Sequence, residues 1–338
     1  MTATIPAAVE TARDCVGPAM AAAVDRLSQD IREVAAYHLG LPQGDGARAG
    51  RPAGKALRPA LALLSAQAAG ASPERAVPAA VAVELVHNFS LLHDDIMDGD
   101  TERRHRPTAW TVYGIGAAIL AGDALLALAN DLLLESPPPE GVWASRCLSA
   151  AVQRLIAGQG ADLAFERRSD VTVAECLDMA GDKTAALMAC SCSIGAVYVG
   201  GPADLAKSLG GFGAYAGLAF QLTDDLLGIW GAPEVTGKPV RSDLRARKKS
   251  LPVVAALTSG TEAGDELGEL LAKPDPLNED QLLRAAGLVE LAGGKEWAEA
   301  RADAALESAA GHLSEAEMPH EVRAEFEAIA EFLTARQW

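Results

Sequence analysis

The stretch SLLHDDIMD, Ser90 to Asp98, ends one apolar helical run, and FQLTDDLLG, Phe220 to Gly228, ends another. On a helix, Asp94 and Asp98 lie one turn apart on one face, with Asp95 beside them. Three carboxylates on so apolar a helix repel one another, and burying them is costly unless a cation is present. Hard oxygen ligands of this kind suit magnesium, which binds through one or two carboxylates completed by substrate phosphates. Taken alone, D-D-x-x-D reads equally well as a helix end in solvent. Asp224 and Asp225, however, follow a run from Phe212 to Thr223 that carries no charge, with Gln221 three residues before Asp224 on the same face. Two such clusters facing each other across a bundle can clamp one polyanion through shared metals, and the anion that fits is a diphosphate.

Outward from these pairs, positive charge gathers in an otherwise acidic chain. Arg103, Arg104, His105 and Arg106 follow the first pair, and Lys238, Arg241, Arg245, Arg247, Lys248 and Lys249 follow the second. Arginine offers a planar fork for phosphate oxygens and lysine a mobile point charge. Either cluster by itself also reads as a solvated basic loop; both together, each beside an aspartate pair, favour an anion site.

The 338 residues have a formal net charge of -17 and are 49% hydrophobic, enough apolar material for a substantial core. So acidic a chain lacks the basic face that nucleic acid or an anionic membrane surface demands. Cys15, Cys147, Cys176, Cys190 and Cys192 are odd in number and include no C-x-x-C pair, which argues against a disulfide framework or zinc site and fits a reducing cytoplasm. Met1 to Met20 lacks the basic and apolar regions of a secretory signal. Thr184 to Ala203 has no charged side chain and is as long as the ~20 residues of a membrane span. Its glycines, serines and Pro202 point instead to a fully buried core helix, so no stable membrane insertion is expected.

Apolar residues recur at i, i+3 and i+4 in Ala/Leu-rich segments, while strand-like alternation is scarce, so the architecture reads as all-α. With no long linker, the chain reads as a single domain over residues 1–338, with a motif-bearing core at about 54–252 and an acidic helical part at about 253–338. Loops fall at Gly40 to Pro52, Ser136 to Gly141 and Gly231 to Ser250, the last long enough to be functional. The charges of the C-terminal part read as a solvated outer face.

With these residues assembled, the chain resembles the trans-isoprenyl diphosphate synthases, the polyprenyl synthetase family. The resemblance runs in family order through GKALRP at Gly54 to Pro59, ELVHNFSLLHDDIMD at Glu84 to Asp98, RRHRPT at Arg103 to Thr108 and AILAGDALL at Ala118 to Leu126. It continues through GQGAD at Gly158 to Asp162, DKTAAL at Asp182 to Leu187, FQLTDDLLG at Phe220 to Gly228 and GKPVRSDLRARKKSLP at Gly237 to Pro252. It implies a helical bundle around a central apolar cavity and a homodimer. It also implies head-to-tail condensation of an allylic diphosphate with isopentenyl diphosphate, giving a medium-chain all-trans product. Asp94, Asp98 and Asp224 resemble the ligands of three magnesium ions, with Asp95 and Asp225 alongside. Arg103, Lys183, Thr184, Gln221, Lys238 and Lys248 resemble the groups that hold the allylic diphosphate, and Lys55, Arg58, His87 and Arg104 the isopentenyl diphosphate pocket. Gln159 and Asp162 resemble supporting polar residues near the metals. Bland alternatives stand beside these: a satisfied core histidine at His87, a solvated loop and helix start at Lys55 and Arg58, a hydroxyl bonded to its own helix at Thr184.

Departures from the family pattern are equally legible. Gly228 stands where a third aspartate is usual, Arg241, Arg247 and His105 replace glycines, and Trp110 replaces a histidine. Phe89 and Ser90, five and four residues before Asp94, sit roughly 6 to 8 Å below the metals at about 1.5 Å per residue. A bulky Phe89 beside a small Ser90 implies a floor of intermediate depth, resembling geranylgeranyl (C20) synthases first and farnesyl (C15) synthases next. Two rivals share the fold: a terpene cyclase, which needs no isopentenyl pocket, and a non-catalytic subunit of a heteromeric synthase, which could lose the aspartates retained here.

Overall fold

The computed structural model describes residues 5–42, 56–104, 106–137, 139–233 and 239–334. It is all-α, as the periodicity predicts. In chain order the helices are α1 (Ala7–Val24), α2 (Gln29–Leu39), α3 (Leu57–Ala68), α4 (Val77–Met97), α5 (Ala109–Tyr113), α6 (Ile115–Leu134), α7 (Glu140–Phe165), α8 (Val173–Ala180), α9 (Ala186–Tyr198) and α10 (Ala203–Trp230). They continue as α11 (Ser242–Arg245), α12 (Leu251–Leu257), α13 (Glu262–Leu271), α14 (Glu279–Leu291), α15 (Gly294–Glu315) and α16 (His320–Thr334). Among the described residues the only strands form a two-residue hairpin that pairs Glu102 with Pro107 and Arg103 with Arg106.

The charge-free stretch after Thr184 is a core helix. From Ala186 to Ala196 nearly every residue of α9 is buried, because α3, α7 and α10 pack around it. The approach of α3 is close enough to demand a glycine: a Cβ at Gly195 would stand 1.9 Å from the Ala62 carbonyl oxygen. Ser65 seals that contact, donating to Ala62 O at 2.9 Å and accepting from Ala196 N at 3.1 Å. Between α8 and α9 the backbone widens into a π-helical turn, Gly181–Ala185, a rare geometry that recurs at functional sites.

α10, the longest helix, packs most heavily against α15 and α9, and α4 against α6. Here α6 carries the glycine: a Cβ at Gly122 would lie 2.4 Å from His93 Nε2. That gap lets α4 bring its acidic end close to α6. Two segments, Pro73–Met97 and Ile115–Leu134, are long and apolar enough to cross a membrane. The first is mostly buried. The second, α6, leaves Ile115, Ile119, Leu120 and Leu134 exposed, and Val112 of α5 and Val142, Trp143 and Ile156 of α7 are exposed as well.

Candidate active site

Each aspartate pair divides its labour in the same way. In the first, Asp98 is exposed and Asp94 half-buried, whereas Asp95 is 1% exposed and turned inward. Its Oδ1 accepts from Arg103 Nε at 2.5 Å, while its Oδ2 is buried without a hydrogen-bond partner. In the second pair Asp224 is exposed and Asp225 is buried. Asp225 accepts from Gln221 Nε2 at 2.8 Å and from the Leu251 backbone N–H at 2.9 Å, with Lys248 Nζ at 3.8 Å. The inward aspartates thus anchor the cationic segments, while Asp98 and Asp224 face outward. Thr184 donates to Gln221 Oε1 at 2.6 Å and so extends the Asp225 network.

The two motifs meet over shared cations. Lys183, in the π-helical turn, reaches Asp162 Oδ2 at 2.6 Å, and it comes this near α7 because residue 158 is glycine. A Cβ there would stand 2.3 Å from Lys183 N. Burial raises the pKa of both Asp94 and Asp98 against the pull of Lys183, and Lys248 also opposes the rise at Asp98. Burial works against the charge of Lys248, but Asp225, Asp243, Asp162 and Asp224 hold its pKa above the ordinary lysine value. Residues from α4, α7, the π-helical turn, α10 and the segment before α12 therefore surround one electrostatic centre. Burial, opposed by Lys183 and reinforced by Asp98, raises Asp94 to about 6. Asp225 is likewise raised by burial to about 6, against Lys248.

A model of the polyprenyl synthetase family matches residues 48–288. The chain belongs to that family. It is 46% identical to the (2E,6E)-farnesyl diphosphate synthase of Mycobacterium tuberculosis over 329 residues, 96% of this chain and 92% of that one. It is 44% identical to a geranylgeranyl diphosphate synthase of the same organism over 311 residues, 92% and 89% of the two chains. The crystal structure of a polyprenyl synthetase from Streptomyces coelicolor A3(2) superposes with a TM-score of 0.93 at 50% identity, covering 98% of this chain and 99% of that one. The chain is an enzyme of the trans-prenyltransferase class.

For a polyprenyl synthetase the donor set fits a hard divalent ion held jointly with its substrate. Among the described residues no three carboxylate, imidazole or thiol side chains cluster tightly enough to hold a metal by themselves. Diphosphate oxygens and water would have to complete the shell, as magnesium prefers. Gln159, 6% exposed, has neither amide atom hydrogen-bonded, and Asp95 keeps its orphaned oxygen; buried polar atoms left so imply further polar company.

A second group of charged residues gathers around α4. Arg58 and Arg104 act on His87 and on the half-buried carboxylate Glu84. Burial lowers the pKa of Arg58, Glu84 opposes that shift, and the Arg58 Nε has no partner. His87 is driven well down by burial, then by Arg58 and Arg104, so it is a neutral imidazole inside a positive field. Sequence reasoning missed His38 of α2, which faces the same group: burial, then Arg104 and Arg103, bring it down to about 3, with the Asn88 amide opposing, and its Nε2 is unpartnered. Nothing in the motif pattern marks that histidine; only the packing of α2 on α4 brings it in. Because the imidazole is neutral when folded and cationic when unfolded below pH 6.5, stability tied to it is present above that pH and lost as pH falls toward 3. Between pH 7 and 5 the parent is expected to lose on the order of 2 kcal/mol more than His38→Gln, read from denaturant melts at each pH.

Other expected groups fall elsewhere. Lys55, His105 and Lys238 lie outside the described residues. Of the basic run after the second motif, Lys248 faces the aspartates, but Arg245 pairs with Glu279 at 2.6 Å, Arg241 lies 4.0 Å from the same carboxylate, and Arg247 donates to Asp275 O at 2.6 Å. These arginines strap the segment to α14 and its preceding loop. Arg241 and Arg247 adopt φ of 61° and 53°, which accounts for the glycines usual there. Trp110, the other replacement, donates to Asp100 O at 2.8 Å and so ties down the turn after the first motif.

Phe89 is 6% exposed, and its ring meets His93 edge to face at 4.9 Å; Ser90 donates to His87 O at 2.8 Å. Phe89→Ala removes a buried ring one helical turn below Asp94 and is expected to shift the product distribution to longer chains. Chromatography of the dephosphorylated alcohols checks this, and an unchanged distribution rules Phe89 out as the floor.

Proposed function

We propose that the chain condenses an allylic diphosphate with isopentenyl diphosphate, head to tail, to give an all-trans product, geranylgeranyl diphosphate first and farnesyl diphosphate second. The observation that carries this reading is the pair of separate positive centres: one shared by both aspartate motifs, the other built around Arg58, His87 and Arg104. A cyclase needs only the first. The 46% identity to a farnesyl diphosphate synthase keeps the shorter product in view, while the buried Phe89 beside small Ser90 favours the longer one.

On this reading Asp94, Asp98 and Asp224 hold magnesium, three ions in all, which when bound neutralises charge on the leaving diphosphate. Arg103, Lys183 and Lys248, joined by Lys238, donate to that diphosphate, and Thr184 and Gln221 orient Asp225, which in turn fixes Lys248. Asp95 holds Arg103, Asp162 steadies Lys183, and Gln159 is a supporting polar residue near the metal site. Arg58, His87 and Arg104, with Lys55, position the isopentenyl double bond over the allylic carbon. Among the described residues no side chain presents itself as base for the final proton, which leaves the departing diphosphate to take it. The apolar helices below Asp94 keep water from the allylic cation. Residues 1–338 act as one isoprenoid synthase domain in the cytoplasm, without membrane insertion. A second copy covers the exposed apolar residues of α6 and α7, forming a homodimer that hides what would otherwise be a large apolar patch.

Incubation with dimethylallyl, geranyl and farnesyl diphosphates in turn, each with magnesium and with or without isopentenyl diphosphate, tests the reading. Chain elongation only in the presence of isopentenyl diphosphate supports it. A cyclic hydrocarbon formed from the allylic substrate alone assigns the cyclase instead, and inactivity of the purified chain assigns the partner subunit.

A further inference from the structure

The hairpin that carries Arg104 has an anchor outside the aspartate motifs. Two paired residues on each strand make a ladder too short to stand alone, and Pro107 brings no N–H to it. Neighbouring elements must hold it. On the strand that leads into the turn, Arg103 is fastened to Asp95. On the returning strand the fastening is Tyr37 of α2. Its hydroxyl donates to Pro107 O at 2.9 Å, and the Arg106 guanidinium lies over its ring, with Cζ 4.4 Å from the centroid. The ring is in turn set edge to face against Tyr113 of α5, with centroids 5.4 Å apart. Arg104 stands between the two fastenings, exposed and with φ of 55°. A non-glycine residue keeps that backbone only where its surroundings fix it. From there its charge acts on Glu84 and His87 of α4, and His38, next to Tyr37 on α2, feels Arg103, Arg104 and Arg106 alike.

We propose that Tyr37 is a positioning residue for isopentenyl diphosphate: by clamping the returning strand to α2 it aims Arg104 at the diphosphate of that substrate. The proposal rests on the reading of Arg104 as a ligand of isopentenyl diphosphate. Two fastenings on one short ladder make the two substrates separable. Loosening Tyr37 frees Arg104, while Arg103, assigned to the allylic diphosphate, stays tied to Asp95. The loss should therefore fall on one KM and spare the other.

The experiment is steady-state kinetics on the full-length protein, varying isopentenyl diphosphate at saturating geranyl diphosphate and then the reverse, with circular dichroism to confirm folding. Tyr37→Phe deletes the hydrogen bond but keeps the ring, and is expected to raise KM for isopentenyl diphosphate about 3-fold, the scale of one net hydrogen bond. Tyr37→Leu also deletes the cation–π contact and is expected to raise it roughly 10- to 30-fold. In both, kcat and KM for geranyl diphosphate should move by less than about 2-fold, whereas loss of folded protein alone would lower kcat and leave both KM values unmoved. Arg104→Ala should raise the same KM, and adding Tyr37→Leu to it should raise it little further, because the two act along one route. Should Tyr37→Leu not fold, Tyr37→Phe decides alone. An unchanged KM for isopentenyl diphosphate in the folded Tyr37 variants, an equal rise in both KM values, or full additivity with Arg104→Ala overturns the proposal and leaves the site reading intact. Parent-like KM values in Arg104→Ala overturn both.

Discussion

Asp94→Ala and Asp224→Ala are each expected to lower kcat/KM for isopentenyl incorporation roughly 10²–10³-fold, the scale of losing one preorganised electrostatic contact to a developing charge. Asp94 is half-buried within the field of Lys183 and Asp224 is exposed, and on the proposed reading each meets the anion. Stability separates loss of chemistry from loss of structure. Asp94 is raised to about 6 in the folded protein, so its contribution to stability is fully present below pH 3.8 and is lost as pH rises through about 6. Without magnesium, Asp94→Ala is therefore expected to be no less stable than the parent at pH 7.5, and the parent's disadvantage should shrink toward pH 5. Undiminished turnover in both variants would dispose of the metal-assisted reading.

Arg58→Ala is expected to act on two quantities at once. It removes a cation from the second group, which raises KM for isopentenyl diphosphate roughly 10- to 100-fold, the value of a charge-assisted contact. It also removes the strongest charge compensating the half-buried Glu84 carboxylate, which lowers stability because that carboxylate's desolvation is then less well offset. Adding Glu84→Gln removes that charge, so the double variant should regain most of the lost stability while keeping the raised KM. Recovery of both together would mean that Arg58 serves the fold alone; a KM unchanged in either variant removes it from the pocket.

The sequence carried the helical class and both aspartate motifs, because a period of 3.6 and an i, i+4 spacing are local properties. It also marked Thr184 to Ala203 as a core helix, which holds for Ala186 to Ala196, whereas the helix ends at Tyr198 and Gly200, Pro202 and Ala203 are exposed beyond it. What local spacing could not reveal was partnership. Asp95 and Asp225 look identical to their outward neighbours in the sequence, yet burial turns one toward Arg103 and the other toward Gln221 and Leu251 N. Arg241, Arg245 and Arg247 were legible as charge near the second motif, but Glu279 and the Asp275 carbonyl, more than twenty residues on, decide where they point. His38 had no motif to announce it, and α6, whose apolar surface is half exposed, gave no sign in the sequence that it differs from the buried α9.

The wide turn at Gly181–Ala185 has its own consequence. One extra residue per turn offsets the rotational phase of α9 from that of α8 by about 100°, and Lys183 and Thr184 lie within the offset. Substitutions change either side chain singly, but a one-residue deletion inside this turn would let the ladder revert to regular pitch and swing both away from Asp162 and Gln221 together. The hold on the central acids is thus set by an indel-sensitive register, which evolution or design can reset in one step.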